Sequence, residues 1–219
     1  MSKALVMIHT VQVLPKPLGQ TFAEAFPDLN LVHMLDESLL RETLREGAIT
    51  PQVVRRLGRL AVSAEEFGAD AVLVTCSSVS PAVDPVRPLV SIPVIKIDDA
   101  MCEEAVRLGT RIGIVATAST TLGPSSSLVR EKARQVGKRV EVQTACSTEA
   151  FAALAAGDLD KHDQILKGLV AQMAGEVDVI MLAQASMARL APLLGKTPVP
   201  VLTSPPLAVD LLRRQLYAS

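Results

Sequence analysis

An internal repeat constrains this chain more than any other feature. Residues 69–78, Ala-Asp-Ala-Val-Leu-Val-Thr-Cys-Ser-Ser, lie over residues 177–186, Val-Asp-Val-Ile-Met-Leu-Ala-Gln-Ala-Ser, at an offset of 184 − 76 = 108. Two flanking segments keep nearly the same spacing. Ile92-Pro93-Val94-Ile95 lies over Val199-Pro200-Val201-Leu202, and Met7-Ile8-His9-Thr10 over Ile114-Val115-Ala116-Thr117, each at 107. Solenoid and propeller repeats run to roughly 20–50 residues, so a period twice as long predicts a duplicated domain.

The duplicated unit reads as α/β. Short runs rich in Val, Ile and Leu alternate with longer amphipathic stretches, the pattern of βα units around a parallel sheet. Strands are expected at 4–8, 29–33, 71–75, 94–97, 112–116, 140–144, 177–182 and 201–203. Helices fill the intervals. One should open at Pro51 with Thr50 as N-cap and end near Gly68, with Val53, Val54, Leu57, Leu60, Ala61 and Ala64 as its apolar stripe. The expectation is two pseudo-symmetric lobes, 1–105 and 106–205, each a parallel sheet flanked by helices, with 206–219 a C-terminal helix that crosses back to the first. Ligands of parallel α/β sheets bind beyond the carboxyl ends of strands, so the site is expected in a cleft between the lobes.

Composition removes several function classes. The net charge is −1 and aromatic residues are 2% of the chain, which leaves neither a basic footprint nor stacking platforms for nucleic acid. Apolar runs are too short to span a bilayer, and the start of the chain has no signal-peptide pattern, so a cytoplasmic location is expected. The three cysteines, Cys76, Cys102 and Cys146, are scattered and contain no CxxC pair, which supports neither a disulfide framework nor a zinc site. A homo-oligomer is expected.

Residues after the strands are mostly hydroxyl-bearing. Thr75-Cys76-Ser77-Ser78 follows a strongly apolar strand. If a helix starts there, its backbone N–H groups and dipole favour a thiolate and bind a carboxylate. The plain alternative is a small buried hydrophobe. Thr117-Ala118-Ser119-Thr120-Thr121-Leu122-Gly123-Pro124 reads as a hydroxyl-rich anion loop or a turn with a threonine N-cap, and no GxGxxG or Walker-type pattern accompanies it. His9 and Thr10, Asp98 and Asp99, Thr144 to Ser147, and Thr203 and Ser204 are further strand-end candidates. His33 with Asp36 and Glu37 offers a proton acceptor or, with His9, a metal cluster; alternatively Asp36 only caps the next helix. No metal is expected. Cys102 and Cys146 read as structural.

These residues resemble the aspartate/glutamate racemase superfamily over nearly the whole chain. The carriers are 73–78 (Leu-Val-Thr-Cys-Ser-Ser), 93–100 (Pro-Val-Ile-Lys-Ile-Asp-Asp-Ala), 112–121 (Ile-Gly-Ile-Val-Ala-Thr-Ala-Ser-Thr-Thr) and 179–187 (Val-Ile-Met-Leu-Ala-Gln-Ala-Ser-Met). The resemblance implies a cofactor-independent, two-lobed enzyme acting on a small carboxylic or oxo acid. Racemases of this kind carry one acid/base cysteine per lobe. Here the second position is Gln184, which does not titrate near neutral pH. The implied assignment is Cys76 and Gln184 as catalytic residues. Thr10, Thr75, Ser77, Ser78, Thr117, Thr120, Thr121, Ala185 and Ser186 would contact substrate. Isomerase or racemase chemistry comes first, an arylmalonate-type decarboxylase second, and a small-acid binding protein is the non-catalytic alternative.

Overall fold

The computed structural model describes residues 3–217. Packing divides them into two units: residues up to Ile97 together with those from Pro205 onward, and Asp98–Ser204. Each is built around a four-stranded, all-parallel sheet.

In the first unit the chain runs β1 (Ala4–His9), α1 (Pro15–Ala25), β2 (Asn30–Leu35), α2 (Glu37–Glu46), α3 (Pro51–Phe67) and β3 (Ala71–Val74). Next come two 3-10 turns, Ser80–Ala82 and Arg87–Leu89, on either side of the four-residue α4 (Val83–Val86), and then β4 (Val94–Lys96). The strand order is β2-β1-β3-β4. The second unit contains α5 (Asp99–Leu108), β5 (Arg111–Ala116), α6 (Ser119–Gln135), β6 (Glu141–Cys146), α7 (Thr148–Ala155), α8 (Leu159–Met173), β7 (Val179–Leu182), a 3-10 stretch Ala185–Leu193 and β8 (Val201–Thr203). Its order, β6-β5-β7-β8, repeats that of the first.

The sequence repeat is thus a repeat of topology. One pair of hydrogen bonds shows how closely it is kept. Asp70, just before β3, accepts from the Ala4 N–H at the start of β1, and Asp178, just before β7, accepts from the Arg111 N–H at the start of β5. These backbone donors, with Lys3 and Arg111 beside them, hold both carboxyls below the ordinary aspartate range.

The central strands β1, β3 and β7 are buried along their whole length, which explains their unbroken apolar runs. Val6, Ile8, Val72 and Val74 pack on Val53, Leu57, Ala61 and Ala64 of α3. Burying each valine or leucine contributes about 1.5–3 kcal/mol before conformational entropy is counted. Thr50 caps α3 by accepting from the Val53 N–H, and Gly68 ends it at φ 92°, a left-handed conformation open to glycine. In the second unit Val115, Ile180 and Leu182 meet Leu166, Val170 and Met173 of α8. Gly113 of β5 permits that contact, because a Cβ there would lie 2.3 Å from the Met173 sulfur.

Edge strands β2 and β6 run two residues past the expected ends, to Leu35 and Cys146, because their pairing follows β1 to His9 and β5 to Ala116. The whole of α5 packs with the second unit, against α6, β7 and β8. Helix α9 (Ser204–Tyr217) returns to the first, where Tyr217 and Arg213 both lie on the Phe26 ring. Among the described residues no helix is long and apolar enough to cross a membrane.

Candidate active site

In the first unit the candidate residues collect at the carboxyl ends of β1 and β3. The parallel register pairs Ile8 with Val74, and the Thr75 N–H continues it by donating to the Ile8 carbonyl. Thr10 and Cys76 are therefore the next residues to leave the two strands. Thr10 is 2% exposed and its Oγ1 has no hydrogen-bond partner. Such a buried orphan hydroxyl is rare, and each one calls for an explanation. Cys76 is half-buried, and Ser77 and Ser78 are buried beside it in the chain.

The turn after Cys76 differs from expectation. No long helix starts there: Val79 N–H donates to the Cys76 carbonyl, Ser80 N–H to that of Ser77, and a three-residue 3-10 turn follows. Pro81, Pro85 and Pro88 each remove a backbone donor, so an extended helix cannot form. No long-helix dipole therefore acts on the Cys76 thiol.

The second unit shows the equivalent construction with different side chains. Val115 pairs with Leu182, so Thr117 and Gln184 stand where Thr10 and Cys76 stand in the first repeat. Here the two meet. Gln184 Oε1 accepts from the Thr117 N–H at 2.6 Å and from Thr117 Oγ1 at 2.8 Å. A backbone N–H can only donate, so the amide orientation is determined, and Gln184 faces other groups with its NH₂. The supposed anion loop proves to be the first turn of the 17-residue α6, with Ala118 as N-cap and without a side-chain cap. Thr120 and Thr121 thus lie in the first turn of a long helix, where the Thr121 N–H donates to the Ala118 carbonyl. Ala185 is buried and Ser186 half-buried at the start of the 3-10 stretch after β7.

Two substrate-contact assignments change in character. The Thr75 hydroxyl is used within the first unit, bonded to the Ile8 carbonyl and to His9 Nδ1. The Thr117 hydroxyl is used on Gln184. Both tie turns together. The proposed His33, Asp36 and His9 cluster separates: His33 lies inside β2, opposite Met7, and bonds His9, whereas Asp36 caps α2 through the Ser38 N–H and takes Arg56. Those bonds outweigh desolvation and keep the Asp36 carboxyl low. Among the described residues no group of three potential metal ligands converges. Cys102 is fully buried on α5, and burial, then Asp98 and Asp99, pushes its thiol well above the ordinary value. Cys146 ends β6 and is exposed.

Other arrangements were not legible in the sequence. His9 is fully buried, and burial followed by repulsion from His33 lowers its pKa to about 4. In the second unit Arg189 makes two bonds to Asp163 beside the buried His162. An open depression of about 500 Å³ is lined by Asp36, Gln52, Arg55, Arg56, Arg59 and Leu60.

Residues 16–212 match the family model described as Asp/Glu/Hydantoin racemase. The chain belongs to the Asp/Glu/hydantoin racemase family. Solved structures with the same fold include a glutamate racemase from Bacillus anthracis, at TM-score 0.77 and 16% identity, covering 99% of this chain and 82% of that one. An allantoin racemase from Klebsiella pneumoniae has TM-score 0.67 and 18% identity, with 99% and 89% covered. An aspartate racemase from Picrophilus torridus has TM-score 0.71 and 13% identity, with 97% and 94% covered. No curated protein matches by sequence. In this member of the Asp/Glu/hydantoin racemase family, the repeat position equivalent to Cys76 is Gln184, an amide held by Thr117.

Proposed function

We propose that this chain is a cofactor-independent isomerase or racemase-type enzyme for a small carboxylic or oxo acid, working with one thiol, that of Cys76. The observation that carries this reading is the fixed amide of Gln184. It occupies the repeat position of Cys76 and cannot titrate, so the second repeat supplies no second thiol at that position.

In the proposed step the Cys76 thiolate takes the α-proton of the substrate, becoming a thiol. The electron pair of the broken C–H bond passes into an enediolate. Donors already oriented toward the developing charge lower the barrier, because no reorganisation is needed during reaction. Thr10, Ser77 and Ser78, at the same strand ends as Cys76, are the proposed donors. The planar enediolate then turns its other face to the thiol, or offers a neighbouring conjugated carbon, and the thiol returns the proton there, which inverts the centre or shifts the bond. Cys76 acting instead as a nucleophile would form and break a carbon–sulfur adduct on the same substrate class.

A single thiol also suits decarboxylation: CO₂ leaves a malonate-like substrate, its bonding electrons remain as the same enediolate, and the Cys76 thiol protonates it. NMR in D₂O with a panel of dicarboxylates, malonates, hydantoins and oxo acids tests the reading. Deuterium uptake or CO₂ release that disappears in Cys76→Ser, with the fold intact, is expected. Ligand-induced thermal shifts without exchange or turnover would identify a binding protein and overturn the proposal.

A further inference from the structure

The buried histidine of the first unit has a role that the chemistry above does not use. Thr75 Oγ1 lies 3.1 Å from the Ile8 carbonyl and 3.0 Å from His9 Nδ1, and His9 Nε2 lies 2.8 Å from His33 Nδ1. The carbonyl can only accept, so it takes the single hydroxyl hydrogen of Thr75. His9 Nδ1 must then donate to the hydroxyl oxygen. A neutral imidazole has one N–H, which makes His9 Nε2 the acceptor and His33 Nδ1 the donor. One backbone carbonyl thereby sets the direction of every bond in the chain. The two ring centroids lie 5.1 Å apart with their planes inclined by 25°. Burial of His9 keeps the imidazole neutral, as this arrangement requires.

Gly19 completes the arrangement. Glycine is a poor residue inside a helix, yet it occurs within α1, and a Cβ at this position would stand 3.0 Å from His33 Nε2. The missing side chain lets the His33 ring lie against α1 while it reaches His9.

We propose that His9, backed by His33, is a positioning residue for Cys76: the one-way chain His33–His9–Thr75 locks the ends of β1 and β3 together and so fixes Thr10 and Cys76 relative to each other. Thr10 directly follows His9, and Cys76 directly follows Thr75. The second unit achieves the same lock one residue later through Thr117 and Gln184, where Ala116 and Ala183 replace His9 and Thr75. In the first repeat position 76 is a thiol, and the lock has moved back into the buried layer. The inference rests on Cys76 being the reactive residue.

Two measurements on the full chain test it. NMR of protein with isotope-labelled histidine at neutral pH reads the tautomer directly: His9 should carry its proton on Nδ1. A proton on Nε2, or an averaged spectrum, overturns the chain. The second measurement is the iodoacetamide alkylation rate of Cys76, followed by peptide mass analysis. An asparagine amide reaches the place of His9 Nδ1 and a glutamine amide that of Nε2. His9→Asn should therefore retain the parent rate within about twofold, while His9→Gln lowers it about fivefold, the effect of one lost hydrogen bond. Simple space filling predicts the reverse order, since glutamine is nearer histidine in size, and that order overturns the proposal, as does equal reactivity in all three proteins. Should His9→Gln not fold, Gly19→Ala provides the second variant: pushing His33 off His9 should lower the Cys76 alkylation rate about twofold or more, and the parental rate counts against the chain. If parental Cys76 reacts no faster than exposed Cys146, the reading of Cys76 as the reactive thiol fails instead, whatever the tautomer shows.

Discussion

Acidifying the protein should destabilise it through His9 before its low-lying aspartates titrate. The imidazole binds a proton near pH 6.5 when unfolded and only near pH 4 when folded, because burial and His33 oppose the charge. Between those values the unfolded state holds more protons, so stability falls as pH drops through this window and levels off below it. Each pH step across the window costs about 1.4 kcal/mol, on the order of 3 kcal/mol in total, and about 2 kcal/mol lies between about pH 7 and about pH 5. A domain of this kind has roughly 5–15 kcal/mol to lose, so the effect is measurable. Asp36, Asp70, Asp163 and Asp178 are all held below their ordinary value of 3.8, so their contribution is lost only at lower pH. The assay is urea unfolding of the parent and His9→Asn across this range. The parent midpoint should fall with pH more steeply than that of the variant, which keeps His33 and every carboxylate. Parallel pH profiles for the two proteins would refute the argument and imply that His9 is protonated, or solvated, in the folded state.

Gln184→Leu should strand the buried Thr117 N–H and hydroxyl, costing about 1–3 kcal/mol by thermal melting; an unchanged melting temperature would show that the pair is not a tie. Gly113→Ala should cost about 1–3 kcal/mol by forcing the Met173 sulfur out of contact, and Gly113→Ala with Met173→Ala should recover part of the cost of the first change. Activity, once a substrate is found, should survive EDTA; loss on chelation with recovery on zinc addition would overturn the metal-free mechanism.

The fold was legible because it depends on pattern. Unbroken apolar runs such as residues 71–74 mark strands buried on both faces, the Thr50-Pro51 and Gly68 signals bound α3, and the long-period repeat requires the same sheet twice. The elements that misled were those where a local signal met a tertiary one. Edge strands β2 and β6 continue beyond His33 and Thr144, where polar residues interrupt their apolar pattern, because the neighbouring central strand supplies hydrogen-bond partners, a fact absent from their own sequence. After Cys76 the prolines were visible, but their consequence, a 3-10 turn in place of a helix start, required the backbone path.

For the candidate site, the sequence by itself named the residue at each strand end: Thr10, Cys76, Thr117 and Gln184 follow from the repeat alone. What each side chain does was decided by tertiary structure. The hydroxyls of Thr75 and Thr117 look alike in sequence to that of Thr10, yet the first two are consumed by neighbours and the third is left without a partner. His33 sits 24 residues from His9, and only the parallel pairing of β1 with β2 turns that separation into a 2.8 Å bond. The physical reason is general. Periodicity records which residues face the core, whereas a hydrogen bond depends on distances of a few tenths of an ångström and on which atom holds the proton, and both are set by strands far apart in the chain.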